Sequence, residues 1–306
     1  MEIRELVKSG FVSIIGLPNA GKSSFLNAVI STNLAITSKK PQTTRKNLKG
    51  IYNDSDSQIV FVDTPGIHNV KNKLDDYMSK SITKSIDDID LIITIIDIMT
   101  YKTDNFDKLN DILLKSDAKK LLLVNKCDLI EYKEDIILNE ILDKFKNNIL
   151  FKKIFFISSL KNKNVTNVIN YIKEILPEGN RYYNEEDLTD EPTKQILADI
   201  IRQQCLYKLD KEIPHGIIVV INSMKKSKTK CINIDADIIC EKDSHKKIII
   251  GTKGSMIKNI GTGSRIAIEK FLNNKVNLKL NVIIKSNWRD ESTLLINYGF
   301  DIKSIK

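Results

Sequence analysis

The chain has 306 residues, 42% of them apolar and 28% charged, with a formal net charge of +9. That length suggests one large or two medium domains, and the apolar share is enough to bury a core. No stretch approaches the roughly 20 apolar residues that span a bilayer, and Met1–Gly10 lacks the apolar run of a signal peptide, so a cytoplasmic protein is expected.

In chain order, strand-length apolar runs occur at Phe11–Ile15, Gln58–Val62, Leu91–Asp97, Leu121–Asn125 and Ile154–Ile157. Helix-like patterns alternate with them at Lys22–Ile30, Leu74–Ile86, Asn105–Lys115, Glu134–Lys146 and Val165–Ile175. This rhythm predicts an α/β fold with a mostly parallel sheet and helices on both faces. Pro177, Gly179 and the polar run Asn184–Asp190 break it, which places a first domain at residues 1–179 and a linker at 180–190. The second domain, 191–306, reads as a helix at Pro192–Leu209 and strands at Gly216–Ile221 and Cys231–Cys240, with a basic turn Lys225–Lys230 between the strands. A glycine-bearing helical region, Ile248–Asn273, and a half-buried strand, Val276–Lys285, complete an α+β pattern.

The four cysteines, Cys127, Cys205, Cys231 and Cys240, follow neither a metal-ligand spacing nor a disulfide framework. Cys231 and Cys240 can approach each other on neighbouring structure, but buried thiols are the simpler reading. His68, His215 and His245 form no cluster, so no zinc site is expected. Charge is uneven: residues 1–180 carry 26 basic against 23 acidic side chains, and residues 181–306 carry 22 against 16. Within Lys246–Arg289 there are ten basic residues and one acid, Glu269. Charge alone leaves two readings open, a polyanion-binding surface or a solvated face.

Gly16-Leu17-Pro18-Asn19-Ala20-Gly21-Lys22-Ser23 fits the phosphate-loop pattern G-x-x-x-x-G-K-[ST], after a strand and before a helix. Backbone N–H groups of such a loop cradle phosphate, and the helix adds its positive end. Lys22 can bridge the β- and γ-phosphates, and Ser23 can offer its hydroxyl to Mg²⁺. Asp63-Thr64-Pro65-Gly66 closes the next strand, where Asp63 can hold a metal-bound water and the Gly66 N–H can sense a γ-phosphate. Asn125-Lys126-Cys127-Asp128 follows a further strand and selects the base. Asp128 can accept the paired donors of guanine, Asn125 can tie the base to the phosphate loop, and the Lys126 stem can lie over the ring. Adenine would leave the carboxylate unpaired. Ser158-Ser159-Leu160 is placed to offer a backbone N–H to guanine O6. Lys40-Pro41-Gln42-Thr43-Thr44-Arg45 reads either as a switch whose threonine completes Mg²⁺ coordination or as a basic solvated loop. Ile250-Gly251-Thr252-Lys253-Gly254 is a G-x-x-G turn inside the basic segment, with Lys258 following. Such turns bring backbone against a sugar-phosphate chain.

On these motifs the chain resembles the bacterial Era GTPases. The resemblance also rests on Glu174–Gly179, Tyr182-Tyr183, Leu188–Asp190, Glu212–Pro214, Ile248–Lys258 and Trp288–Glu291. It implies a Ras-like GTPase domain joined to a C-terminal type II KH domain, with GTP and GDP as nucleotides and Mg²⁺ as cofactor. It further implies a monovalent cation such as K⁺ placed by Asn19, binding of small-subunit ribosomal RNA near its 3′ end, a role in maturing the small ribosomal subunit, and loose membrane association. A monomer is expected. Two departures stand out. Ser159 and Asn162 occupy positions where the family usually has Ala and Gly, and His215-Gly216 stands where Tyr-Ser is common. Ile67 replaces the glutamine that orients water in Ras-type enzymes, so slow hydrolysis is expected, raised by RNA. The rival readings are a phosphate-loop kinase or ATPase, and a GTPase whose basic segment meets acidic lipid.

Overall fold

The computed structural model describes residues 6–130, 134–146, 150–227 and 231–301. Residues 228–230 of the expected basic turn and the outermost residues of both expected domains lie outside that range. Two compact units divide the chain. Unit 1 takes Met1–Ala35, Thr44–Val70 and Met78–Asp190, and unit 2 takes Ile36–Thr43, Lys71–Tyr77 and Glu191–Lys306.

Unit 1 contains β1 (Val7–Gly16), α1 (Lys22–Ile30), β2 (Leu48–Asn53), β3 (Ser57–Asp63), part of α2 (Lys73–Lys84), β4 (Leu91–Asp97) and α3 (Asp107–Leu113). It continues with β5 (Lys119–Asn125), α4 (Glu134–Lys146), β6 (Lys153–Phe156), α5 (Val165–Ile175) and β7 (Glu178–Gly179). The sheet order is β2-β3-β1-β4-β5-β6. Every neighbour on that path is parallel except β2, which runs antiparallel to β3, and β7 adds an antiparallel pairing to the start of β1.

Every residue of β3 and β4 is buried, as continuous apolar strands covered on both faces must be. Alternate residues feed opposite faces. Ile14, Phe61, Ile93 and Leu123 pack with Phe25 and Leu26 of α1 and Ile169 and Ile172 of α5. Ile15 and Ile92 pack with Ile82 of α2 and Leu109 and Leu113 of α3, while Leu122 and Val124 meet Ile141 of α4. Because the strands run parallel, the chain leaves β1, β3, β4 and β5 on one edge, and there Gly16, Asp63, Asp97 and Asn125 gather.

Within the expected linker 180–190, residues 181–190 form a strap fastened to the β2–β3 hairpin. Arg181 Nη1 and Nη2 donate to the carbonyls of Ser57 (3.1 Å) and Asp54 (2.9 Å). Gln58, fully buried, accepts the N–H groups of Tyr182 (2.6 Å) and Tyr183 (3.0 Å) at Oε1. Its Nε2 donates to Tyr183 O (2.9 Å) and Asn53 Oδ1 (2.7 Å). Farther along, Ile51 N donates to Leu188 O (2.9 Å), and Lys49 pairs with Asp190 (2.7 Å).

Unit 2 contains α6 (Thr193–Lys208), β8 (Ile218–Lys226), β9 (Ile232–Cys240), α7 (Asp243–Ile250), α8 (Ser255–Leu272), β10 (Val276–Ile284) and α9 (Ser292–Asn297). Its sheet has the order β10-β9-β8, with β9 parallel to β10 and antiparallel to β8. α8, at 18 residues, falls within the helical region expected at Ile248–Asn273, which the Gly251–Gly254 turn divides from α7. Trp288 is fully buried, donates from Nε1 to Gly216 O at 3.0 Å, and meets Tyr298 edge-on. That bond gives the His215-Gly216 turn a structural role. Cys231 and Cys240 lie at opposite ends of β9, roughly 30 Å apart at strand rise, so they cannot approach each other. All four thiols are free, and burial pushes that of Cys205 up to about 12.

Replacing Gln58 with Ala deletes four hydrogen bonds and takes away the acceptor of the Tyr182 and Tyr183 N–H groups. We expect Gln58→Ala to cost about 2–4 kcal/mol in denaturant unfolding and to open residues 181–190 to limited proteolysis.

Candidate nucleotide and nucleic-acid sites

β1 delivers the chain at Gly16 into a loop that closes at Gly21, and α1 begins at Lys22. Gly21 has φ 100, and a Cβ there would lie 2.1 Å from Asn125 Nδ2, so only glycine fits. Lys22 is 6% exposed, and its Nζ folds back to the carbonyls of Gly16 (3.1 Å) and Leu17 (3.0 Å). Burial lowers its pKa to about 8, with Asp63 pulling the other way, so it stays largely cationic at neutral pH. Pro18, Asn19 and Ala20 complete the loop, and Asn19 takes φ 63.

Three oxygen donors meet beside it. Ser23 Oγ donates to Asp63 Oδ2 (2.6 Å) and lies 2.8 Å from Thr44 Oγ1, which donates to the same carboxylate at 3.2 Å. Asp63 is fully buried and its Oδ1 has no hydrogen-bond partner. Burial pushes its pKa up to about 6, against the pull of Lys22 and the two hydroxyls. A compact set of hard oxygens with one orphaned carboxylate oxygen fits Mg²⁺. Among the described residues no group of three His, Cys, Asp or Glu could hold a metal by itself, so an ion here would also need phosphate oxygens. Of the two expected switch threonines, Thr44 joins this cluster. Thr43 belongs to unit 2, where its hydroxyl donates to Lys40 O at 2.7 Å and its carbonyl accepts from Arg202. After Asp63, Thr64 donates to Ile14 O (2.7 Å), and Pro65 and Gly66 are buried. Ile67 is 7% exposed and packs with Ile15, Ile82 and Ile92, so its side chain belongs to the core.

The base-reading loops follow β5 and β6. Asn125 Nδ2 donates to Ala20 O (3.0 Å), while its Oδ1 accepts both the N–H and the hydroxyl of Ser159, each at 3.0 Å. Lys126 takes φ 68 and pairs with Asp97 Oδ2 at 2.6 Å. Asp97 escaped the sequence reading, although a carboxylate ending a wholly apolar strand was a visible signal. Cys127 contributes backbone, its N–H donating to Ile157 O at 3.1 Å and its thiol to Val124 O. Ser158 Oγ donates to Asp128 Oδ1 at 2.5 Å and fixes the carboxylate's orientation. Leu160 is 81% exposed, so its side chain packs against nothing that positions it. Asn162 has φ 52, a left-handed conformation that Asn tolerates nearly as well as Gly.

In unit 2 the turn Gly251–Gly254 joins α7 to α8 with three positive φ angles: Gly251 (74), Lys253 (51) and Gly254 (77). A Cβ on Gly251 would press on Met256 within 2.8 Å, whereas a Cβ on Gly254 would meet nothing within 4 Å. The backbone at Gly254 is thus open to a ligand, at the positive end of α8. Thr252, Lys253 and Lys258 are exposed around it.

The buried Asp63 supplies a pH test. Its folded pKa of about 6 exceeds the ordinary aspartate value of 3.8, so between those pH values the folded state binds the extra proton and stability falls as pH rises. We expect Asp63→Asn to stabilise the nucleotide-free protein by about 3 kcal/mol at pH 7.5 and by almost nothing at pH 4, read as the difference in thermal unfolding.

A family model described as a 50S ribosome-binding GTPase matches residues 11–126, and a KH-domain model matches residues 212–289. The chain is 43% identical to the GTPase Era of Clostridium kluyveri over 96% of this chain and 100% of that one. It is 40% identical to the GTPase Era of Clostridioides difficile over 97% of this chain and 100% of that one. Among solved structures, Era in complex with MgGDPNP and nucleotides 1506–1542 of 16S ribosomal RNA aligns at TM-score 0.92 and 31% identity, covering 96% of this chain and 99% of that one. An Aquifex aeolicus Era variant bound to GDP·AlF4⁻ aligns at TM-score 0.88 and 30% identity over the same 96% and 99%. With both the base-reading loops and the G-x-x-G turn in place, the chain belongs to the Era family of GTPases, as a GTP hydrolase with a C-terminal KH domain.

Proposed function

We propose that the chain is a slow GTP-hydrolysing switch that binds small-subunit ribosomal RNA near its 3′ end and assists maturation of the small subunit. One observation carries this reading. The chain joins an Asp128 site for guanine to an open Gly251–Gly254 backbone turn, and its 96%-covering structural relative holds both MgGDPNP and a 16S ribosomal RNA segment. The Gly16–Ser23 backbone would wrap the phosphates while Lys22 swings from the carbonyls of Gly16 and Leu17 to the β- and γ-oxygens. Ser23, Thr44 and Asp63 would hold Mg²⁺, which would offset the negative charge of the phosphates. Asn19 would place a monovalent cation such as K⁺ beside the same phosphates. Gly66 N–H would register the γ-phosphate. Ile67, packed in the core, offers no group to orient water, so basal turnover is slow and an external element must assist.

Asp128 would accept the N1–H and N2–H of guanine with its orientation set by Ser158, and Asn125 would donate to the base. In unit 2, Gly251, Thr252, Lys253 and Gly254 would clamp the sugar-phosphate chain, with Lys258 adding charge. Among the described residues no helix is long and apolar enough to cross a membrane. We place the protein in the cytoplasm, and any membrane contact would be peripheral and made through the basic face.

Two measurements test the reading. Asp128→Asn should move nucleotide preference from GDP towards xanthosine diphosphate by at least tenfold, and an unchanged preference would refute the base assignment. Gly254→Asp should weaken binding of a 16S 3′-end oligonucleotide at least tenfold at moderate salt while GDP affinity stays within twofold. Equal affinity of the wild-type protein for scrambled RNA or anionic vesicles would favour a general polyanion surface instead.

A further inference from the structure

The hydroxyl of Ser159 has no part in the reading above. Asn125 is 2% exposed, so each polar atom of its amide needs a partner. Nδ2 gives one N–H to Ala20 O at 3.0 Å and keeps the second for the base. Oδ1 receives two donors from the same residue, the backbone N–H and the hydroxyl of Ser159, both at 3.0 Å. The guanine reading asks a backbone N–H of Ser158-Ser159-Leu160 to serve O6 of the base, and the one beside Asn125 is that of Ser159. One N–H cannot fully satisfy two acceptors. The neighbouring hydroxyl cannot stand in, because Ser158 Oγ already donates to Asp128 Oδ1 at 2.5 Å and accepts Lys161 N–H at 3.1 Å.

We infer that Ser159 is a positioning residue for guanine: its hydroxyl holds Asn125 Oδ1 when its backbone N–H turns to O6 of the base. The amide of Asn125 then keeps its orientation, with the free Nδ2–H aimed at the base and no buried acceptor abandoned. With alanine at 159 the N–H would be shared between Asn125 and O6, and one of the two bonds would weaken. The penalty appears only for bases that carry O6. This inference rests on the guanine reading and adds to it a residue that Asp128 does not replace.

The test compares wild type and Ser159→Ala as full-length, nucleotide-free protein, titrated calorimetrically with three diphosphates in the presence of Mg²⁺. GDP carries O6 and the 2-amino group, IDP carries O6 alone, and 2-aminopurine riboside diphosphate carries the 2-amino group alone. We expect Ser159→Ala to weaken GDP and IDP about five- to tenfold and 2-aminopurine riboside diphosphate less than twofold, with the nucleotide-free melting temperature unchanged. Equal weakening of all three would mean that the hydroxyl only supports the loop, and unchanged GDP affinity would mean that it is idle. Either result overturns the inference while leaving the guanine reading intact. A wild-type protein that bound 2-aminopurine riboside diphosphate as tightly as GDP would instead show that O6 is not read at all.

Discussion

The amide of Asn125 ties together three loops that are far apart in sequence. It donates to Ala20 in the phosphate loop, accepts from Ser159 after β6, and itself closes β5. Polar groups this deeply buried are held to one geometry, because any displacement leaves an acceptor or donor unpaired in low dielectric. The tie explains why Gly21 must lack a side chain: a Cβ there would collide with Asn125 Nδ2 at 2.1 Å. The phosphate loop and the loops expected to read the base therefore share one buried support.

The phosphate-facing groups show a second economy of design. Lys22 and Asp63 are both buried, one with its pKa lowered to about 8 and the other raised to about 6. The same desolvation shifts each towards its neutral form without discharging it at neutral pH, and each gains most from a ligand of opposite charge. A triphosphate with its cation provides both, so the burial that costs folding stability sharpens binding. Ile67 fits the same picture. Its side chain serves the core beside Ile15 and Ile92 and carries no polar group that could orient a water.

Much of this was legible in the sequence because parallel sheets are written plainly. β3 and β4 are continuous apolar runs, and the functional residues directly follow such runs, so a strand end predicts a site. What escaped notice lacks that pattern. β2, Leu-Lys-Gly-Ile-Tyr-Asn, is an edge strand of mixed polarity. Residues 181–190 are polar, and what fixes them is hydrogen bonding to Gln58 and to backbone carbonyls, which composition cannot reveal. The partition of Thr43 and Thr44 between two units depends on Arg202, more than 150 residues away in the chain, and no local pattern carries that. The two hydrogen bonds from Ser159 to Asn125 were equally hidden, since a serine in a loop is ordinary until its partner is known.

The central claim is that an intact guanine site without a water-orienting side chain is coupled to RNA recognition in the same chain. The most direct measurement is GTP turnover by the full-length protein with and without an oligonucleotide from the 3′ end of small-subunit ribosomal RNA. Turnover of the protein alone should be slow, well under the roughly 5–20 s⁻¹ of a Ras assisted by its activating protein, with at least a severalfold rise with that RNA but not with a scrambled one. Turnover of tens per second without RNA, or a rate indifferent to the RNA sequence, would contradict it.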